Sequence, residues 1–461
     1  MGVFEAIDRY HEILARDALG AWEQFQAALQ AERLYFGTRP ICSVLRPHFL
    51  SAPAYAYLIE ASRVVRGALG KVYDYLLQED TLRAQIGVSA QEDALLALEP
   101  ERGPGDASGR IDAFYLSDQP DGGSYPVLNY VEYNAESPGG LLFGETLSNI
   151  FRGLPMFDEF ARHYRVHSFA CSPLILTQLL DGYRAWGGTG RPNIAIVDWR
   201  GVRTYREFEL AQAYFHSQGF EAGIFDPEEL EQDNQGRLHA GDFAIDVVYK
   251  RVVTTELLAK YGTDHPLIRA VGQRTVCMVN GFGVVLLFNK GLFALLSDET
   301  ALPTAGPTSL SPLERLVIAR HIPWTRLLTE RRTTWQGQTV DLLPWVADHR
   351  ADLVLKPAND YGGQGVVLGW EVDQATWEGA LKAALATPHI VQRRVPIPEA
   401  VFPSLVEGRL DLSPRLVDVD PYVWGGAQIE GGGVRLSTSS LLNVSAGGGS
   451  AVPLVVLEEP A

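Results

Sequence analysis

Between residues 191 and 250 short apolar runs alternate with an amphipathic helix, and this alternation narrows the fold more than any other stretch. A break at "GGTGRPN" (187–193) leads into "IAIVD", a short run with no polar face. "TYREFELAQAYFHSQGF" then carries apolar residues at helical spacing, and "EAGIFD" is a second short run. "GRLHAGDFAIDVVYKR" adds a turn, a short strand and a further strand. Strand, helix and strand in this order predict a small open α/β unit, because parallel strands need a crossover that packs back on the sheet. The unit lacks G-x-G-x-x-G and is not read as dinucleotide-binding.

Around this unit the chain is mixed. Residues 3–33 read as one amphipathic helix, with Phe4, Ile7, Tyr10, Ile13 and Leu14 at helical spacing. Further helices are expected at about 52–79 and 90–98. After the break "EPERGPGDASGR", residues 110–134 read as two strands joined by "QPDGGSY". Helical signals return at about 141–187, and from about 270 onward strands and helices mix. The expected division is a helical N-terminal region (1–100), a hairpin-bearing part (101–190), the small α/β unit (191–265) and a mixed remainder (266–461).

Composition excludes several classes. A net charge of −17 argues against nonspecific nucleic-acid binding, which needs a basic face. The three cysteines, Cys42, Cys171 and Cys277, are far apart and in no metal-ligand spacing. They fit buried packing in a reducing compartment. The most apolar segment, "VVLLFNKGLFALL" (284–296), is short and broken by Asn289 and Lys290, so no membrane span is expected. Glu5, Asp8, Arg9, Glu12, Arg16 and Asp17 leave no signal-peptide pattern near the N-terminus. A cytoplasmic protein is expected.

The chemistry concentrates in a few places. "VLKPANDYGGQGVVLG" (354–369) has the form strand, glycine-rich turn, strand. It is either a lid whose peptide N–H groups approach phosphate oxygens or a plain hairpin. Lys356 ends its first strand, where it would meet those phosphates, and Gly362, Gly363, Gln364 and Gly365 form the turn. Lys290 stands between an apolar run and a helix start, where an ammonium is costly unless an anion meets it. The alternative there is a lysine that snorkels to water. Gln392 closes the strand "HIVQRRV", read either as an adenine-edge contact through its backbone or as ordinary core. A nucleotide site also needs oxygen ligands for a divalent cation. Asp418 and Asp420 in "VDVD" share a strand face, but no third ligand accompanies them. The hairpin is richer. Arg110 and Asp112 are two apart on one strand, Glu132 and Asn134 two apart on the next, and pairing sets them side by side.

The "R-x-D … E-x-N" pair and the "K-P-…-G-G-x-G" lid together resemble the circularly permuted ATP-grasp proteins, of which glutathionylspermidine synthetase is a relative. The resemblance covers roughly residues 100–461, with the order of parts inverted relative to an ordinary ATP-grasp chain. It implies an α/β fold of that permuted type with a small pre-ATP-grasp unit. Asp112, Glu132 and Asn134 would bind Mg²⁺ or Mn²⁺, Arg110 would stabilise the transferred phosphoryl group, and Lys290 and Lys356 would bind the phosphates of ATP. In the closing segment (432–458) Arg435 and Asn443 would face the cleft. No amidase-like Cys/His pairing accompanies Cys42, so only the synthetase part is matched. The implied activity is an ATP-dependent carboxylate–amine ligase acting through an acylphosphate on small-molecule or peptide substrates. A nucleotide-binding protein without ligase activity and a phosphotransferase are the alternatives.

Overall fold

The computed structural model describes residues 2–99, 107–117, 126–360, 362–440, 444 and 449–458. The periodic stretch 3–33 forms two helices, Val3–Leu14 and Ala18–Ala31. The break falls at Asp17, which leaves helical geometry and caps the second helix through the Gly20 N–H. Ala52–Leu76 is the longest helix, and Ala90–Leu96 closes this region. The first hundred residues are not purely helical, however. β1 (His48–Ser51) leaves them to join the main sheet. Four residues with two apolar side chains are too few to show a period.

β2 (Ser108–Leu116) and β3 (Val127–Asn134) form the expected antiparallel hairpin. Helices Leu141–Arg152, Pro155–Ala161 and Ser172–Trp186 follow. The small unit is built from β4 (Ile194–Val197), the helix Tyr205–Ser217, β5 (Ala222–Phe225), β6 (Val247–Lys250) and β7 (Cys277–Val279). Its strands are all parallel, in the order β7-β6-β4-β5. Every residue of β4 and β6 is buried, which explains why these strands read as unbroken apolar runs. The sheet reaches past residue 265, because its edge strand β7 comes from 277–279.

The apolar run before Lys290 is a short helix, Val284–Phe288, not a strand, and Lys290 caps the next helix, Gly291–Ser297. A second sheet, in the order β8-β11-β9-β10, is antiparallel: β8 (Thr325–Leu327), β9 (Leu353–Pro357), β10 (Val367–Leu368) and β11 (His389–Arg393). The glycine-rich turn joins β9 to β10.

β12 (Glu399–Val406), β13 (Arg409–Trp424), β14 (Gln428–Ser437) and β15 (Ser450–Glu458) complete the main sheet. Its order is β1-β15-β14-β13-β2-β3, with β12 paired to the outer half of β13. β1 runs parallel to β15; the other pairs on this path are antiparallel. The N-terminal helices cover one face through a core that includes Tyr10, Phe25, Phe49, Phe151 and Phe160. Phe49 stacks on Phe160, and Tyr10 meets both edge-on. With that face filled, polar side chains of β2, β3, β13 and β14 collect on the other, toward the glycine-rich sheet. Among the described residues no helix is long and apolar enough to cross a membrane.

Candidate active site

Strand register builds the site. Arg110 faces Asn134 across the hairpin and Asp112 faces Glu132. On the other side of β2, Tyr422 of β13 faces Arg110, and further along β13 Asp418 faces Arg435 of β14. A bulge between Asp112 and Ala113 frees the Ala113 N–H, which donates to Asp420 Oδ1 at 3.0 Å. Bulges re-aim neighbouring side chains, and this one turns Asp112 into the cluster.

Asp112 is saturated with donors. Arg110 Nε reaches its Oδ1 at 2.7 Å and Arg110 Nη2 its Oδ2 at 3.1 Å, while Arg435 Nη2 reaches Oδ2 at 2.6 Å. Asn134 Nδ2 donates to Asp112 Oδ1 at 2.9 Å and to Glu132 Oε1 at 3.3 Å. Oxygens of Asp112 and Glu132 therefore converge on one nitrogen, as the hairpin reading expected. Burial alone would raise the Asp112 pKa, but the charges of Arg110 and Arg435 outweigh it and hold the carboxyl well below its ordinary range. Asp418 and Asp420 are as deeply buried and are pushed upward by that burial, Asp420 the more strongly. Asp112 thus keeps its charge.

The lysines stand opposite. Lys356 Nζ donates to Gln392 Oε1 at 2.9 Å. Lys290 donates to the Asp360 carbonyl at the base of the glycine turn, and its Nζ lies 3.5 Å from Glu132 Oε2. Burial lowers the Lys356 pKa to about 8, Lys290 adds to the shift, and Glu132 and Asp112 oppose it. An ammonium with this pKa starts to lose its charge near the upper end of the physiological range. Its attraction for an anionic ligand is therefore expected to hold below about pH 8 and to fall above it. Calorimetric titration at pH 7, 8 and 9 checks this, and Lys356→Arg should flatten the profile.

The cleft between these groups has a volume of about 750 Å³ and is lined by Arg110, Asp112, Glu132, Asn134, Lys290 and Lys356, with Gly362, Gly363, Gln364 and Gln392. Arg435, Asp418 and Asp420 line it too. Two expectations change. Gly365 is not among the lining residues; its φ of +67° serves the turn, and a Cβ there would meet Pro357 Cγ at 2.7 Å. Gln392 lies in β11 with a strand on either side, so its backbone belongs to the sheet and is no adenine hinge. Its side chain instead holds Lys356, with Nε2 donating to Thr325 Oγ1 at 3.1 Å. Asn443 lies outside the described residues.

The cleft has a second arm that the residue patterns did not point to. It ends at the carboxyl edge of the small sheet, lined by Asp198, Trp199, Arg203, Arg251 and Glu256. Chain order reverses between β4 and β6, with β5 on one flank and β6 and β7 on the other. Open parallel sheets bind ligands in the crevice beyond such a switch point. Asp198 follows β4, and burial lifts its pKa to about 6 against the opposing Trp199 N–H. Arg251 follows β6 and is buried, with Nη2 on the Pro138 carbonyl at 2.7 Å and Nε without a partner. The available signal was an unbroken apolar run ending in a charge, "IAIVD" and "VVYKR".

The donor set fits Mg²⁺ in kind. Asp112, Glu132 and Asn134 offer hard ligands, and half a turn of the Asn134 amide brings its oxygen to the point where the two carboxylates converge. Among the described residues no three His, Cys, Asp or Glu side chains are grouped for a metal.

The sequence matches no protein-family model and no curated protein. Solved structures do match. A glutathione synthetase-like effector from Globodera pallida superposes over 95% of this chain and 97% of its own, with a TM-score of 0.62 at 10% identity. The likeness shows that the two chains share a fold. Partial likenesses include D-alanyl-alanine synthetase A from Vibrio cholerae, at 15% identity over 50% of this chain and 68% of that one, with a TM-score of 0.26. A RimK domain ATP-grasp protein from Sphaerobacter thermophilus matches at 16% identity over 57% and 90%, with a TM-score of 0.27.

Proposed function

We propose that the protein is an ATP-dependent carboxylate–amine ligase on a circularly permuted ATP-grasp chain. What carries the reading is the meeting, in one cleft, of a carboxylate–amide hairpin at 110–134 with Lys290, Lys356 and a glycine turn from 290–365. Lys290 and Lys356 hold the phosphates of ATP, and the peptide N–H groups of Gly362 and Gly363 close over them. Asp112, Glu132 and Asn134 would hold Mg²⁺, which neutralises phosphate charge and polarises the transferred group. Arg110 supplies fixed positive charge to the phosphoryl group as it moves to the acid. The amine then displaces phosphate from the acylphosphate. The arm at Asp198 and Arg251 is open to one of the two co-substrates.

Pairs of acids and amines are screened for ADP release, followed by mass detection of the product. The expected result is ADP formation that needs both substrates and a divalent cation, with loss of nucleotide binding in EDTA. ADP from the acid alone would mark a phosphotransferase, and nucleotide binding without ADP release a binding protein. Equal affinity with and without EDTA would remove the metal assignment.

A further inference from the structure

Arg435 touches three carboxylates, and only one of them belongs to the metal set. Its Nη2 lies 2.6 Å from Asp112 Oδ2 and 2.6 Å from Asp418 Oδ2, and its Nε lies 3.1 Å from Asp420 Oδ2. Its Nε also donates to Asp418 at 2.8 Å, and its own N–H donates to Asp418 Oδ1 at 3.0 Å. Asp418 and Asp420 are fully buried and point to the guanidinium from one strand. Their strand, β13, is separated by β2 from β3, which carries Glu132. Asp418 already accepts hydrogen bonds from Arg435, and Asp420 Oδ2 lies within ion-pair distance with no hydrogen-bond partner of its own.

The free protein therefore poses a problem for metal loading. The oxygens of Asp112 that a cation must share are held by Arg110 and Arg435. A buried guanidinium stripped of its only acid would be left unpaired at high cost. Arg435 is not in that position, because two further acids hold it.

We propose that Arg435 is a displaceable guard on Asp112, and that Asp418 and Asp420 are the positioning pair that receives it when a divalent cation arrives. The inference rests on Asp112 being a metal ligand. Metal entry costs Arg435 one contact out of three and leaves its Nη2 on Asp418 in the wall of the cleft. The strand "VDVD" thereby gains a role without ligating the metal.

The probe is Mn²⁺ with ADP, titrated into the full chain and followed by electron paramagnetic resonance. Asp112→Asn defines the site: it should weaken Mn²⁺ binding at least tenfold. Asp418→Asn with Asp420→Asn should also weaken it about tenfold, since Arg435 then clings to Asp112. In an Arg435→Met background the same two substitutions should change affinity less than twofold, because no guanidinium remains to be received. An equal loss in both backgrounds would mean that the two acids act as ligands or through their field, and would overturn the proposal. So would no loss in the native background. A crystal structure of the unmutated protein with Mn²⁺ and ADP gives an independent reading that needs no variant to fold. Arg435 should be off Asp112 and still on Asp418; if it stays on Asp112 beside the bound metal, the guard role is wrong. Should Asp112→Asn leave Mn²⁺ binding unchanged, the metal assignment falls and this inference with it; should Asp112 matter while Arg435 stays in place, the inference alone falls.

Discussion

Lys356→Ala is expected to lower kcat/KM for ATP by about a hundredfold, the roughly 3 kcal/mol lost with one preorganised charge contact. The same substitution should leave thermal stability unchanged or raise it. Lys356 is half-buried and desolvation lowers its pKa to about 8, so the folded protein bears a cost to keep it charged at neutral pH. It is held by the neutral amide of Gln392, not by a direct ion pair with a carboxylate. A residue that opposes stability at the mouth of a cleft is placed there for a ligand. Steady-state kinetics together with a melting curve separate the two roles. Full activity would remove the phosphate assignment, and a large loss of stability would make Lys356 a structural residue.

Asp112→Asn is expected to abolish metal-dependent turnover and, unlike Lys356→Ala, also to destabilise the fold. Breaking a buried ion pair by removing one partner costs about 3–5 kcal/mol, and Asp112 serves two arginines. Asp418 and Asp420 keep those arginines partly paired, so the lower end of the range is expected. The pH dependence has a definite sign. A carboxylate held below its ordinary pKa contributes stability above about pH 4, and that contribution is lost as pH falls toward the folded-state value. Urea unfolding should show a constant gap between native and variant from pH 5 to 8, narrowing below pH 4. A gap that persists unchanged into acid would mean that the ion pairs are not its source.

The two substitutions probe parts of the site that differed in how openly the sequence displayed them. The hairpin was legible because pairing follows from alternation: Arg110 and Asp112, then Glu132 and Asn134, lie two apart, and a short connection fixes which strands meet. The glycine turn was legible for the same local reason. Register between distant strands was not. Nothing within "VDVD" shows that β13 lies between β2 and β14, so Asp418 and Asp420 looked like rival ligands when they are partners of Arg435. Two readings stayed open for Gln392, because its neighbours β8 and β9, which make it part of a core strand, come from elsewhere in the chain. The arm at Asp198 and Arg251 depended on strand order, which only the assembled small sheet reveals. The N-terminal strand β1 was hidden by its length.

The parallel pairing of β1 with β15 has a consequence for how the chain reaches its native state. His48 through Ser51 lie beside Leu454 through Leu457, so the strand made early waits for residues made about four hundred positions later. The parallel sheet of 194–279 draws on one continuous segment and can form while the rest is still being synthesised. The main sheet, with the carboxylate hairpin in it, closes afterwards. During that interval the apolar residues Phe49 and Leu50 have no strand beside them, and the helix Ala52–Leu76 that follows is without part of its core. Loss of residues 450–458 would therefore remove an interior strand, and the face of the cleft that carries Asp112 would lose its support before any ligand was met.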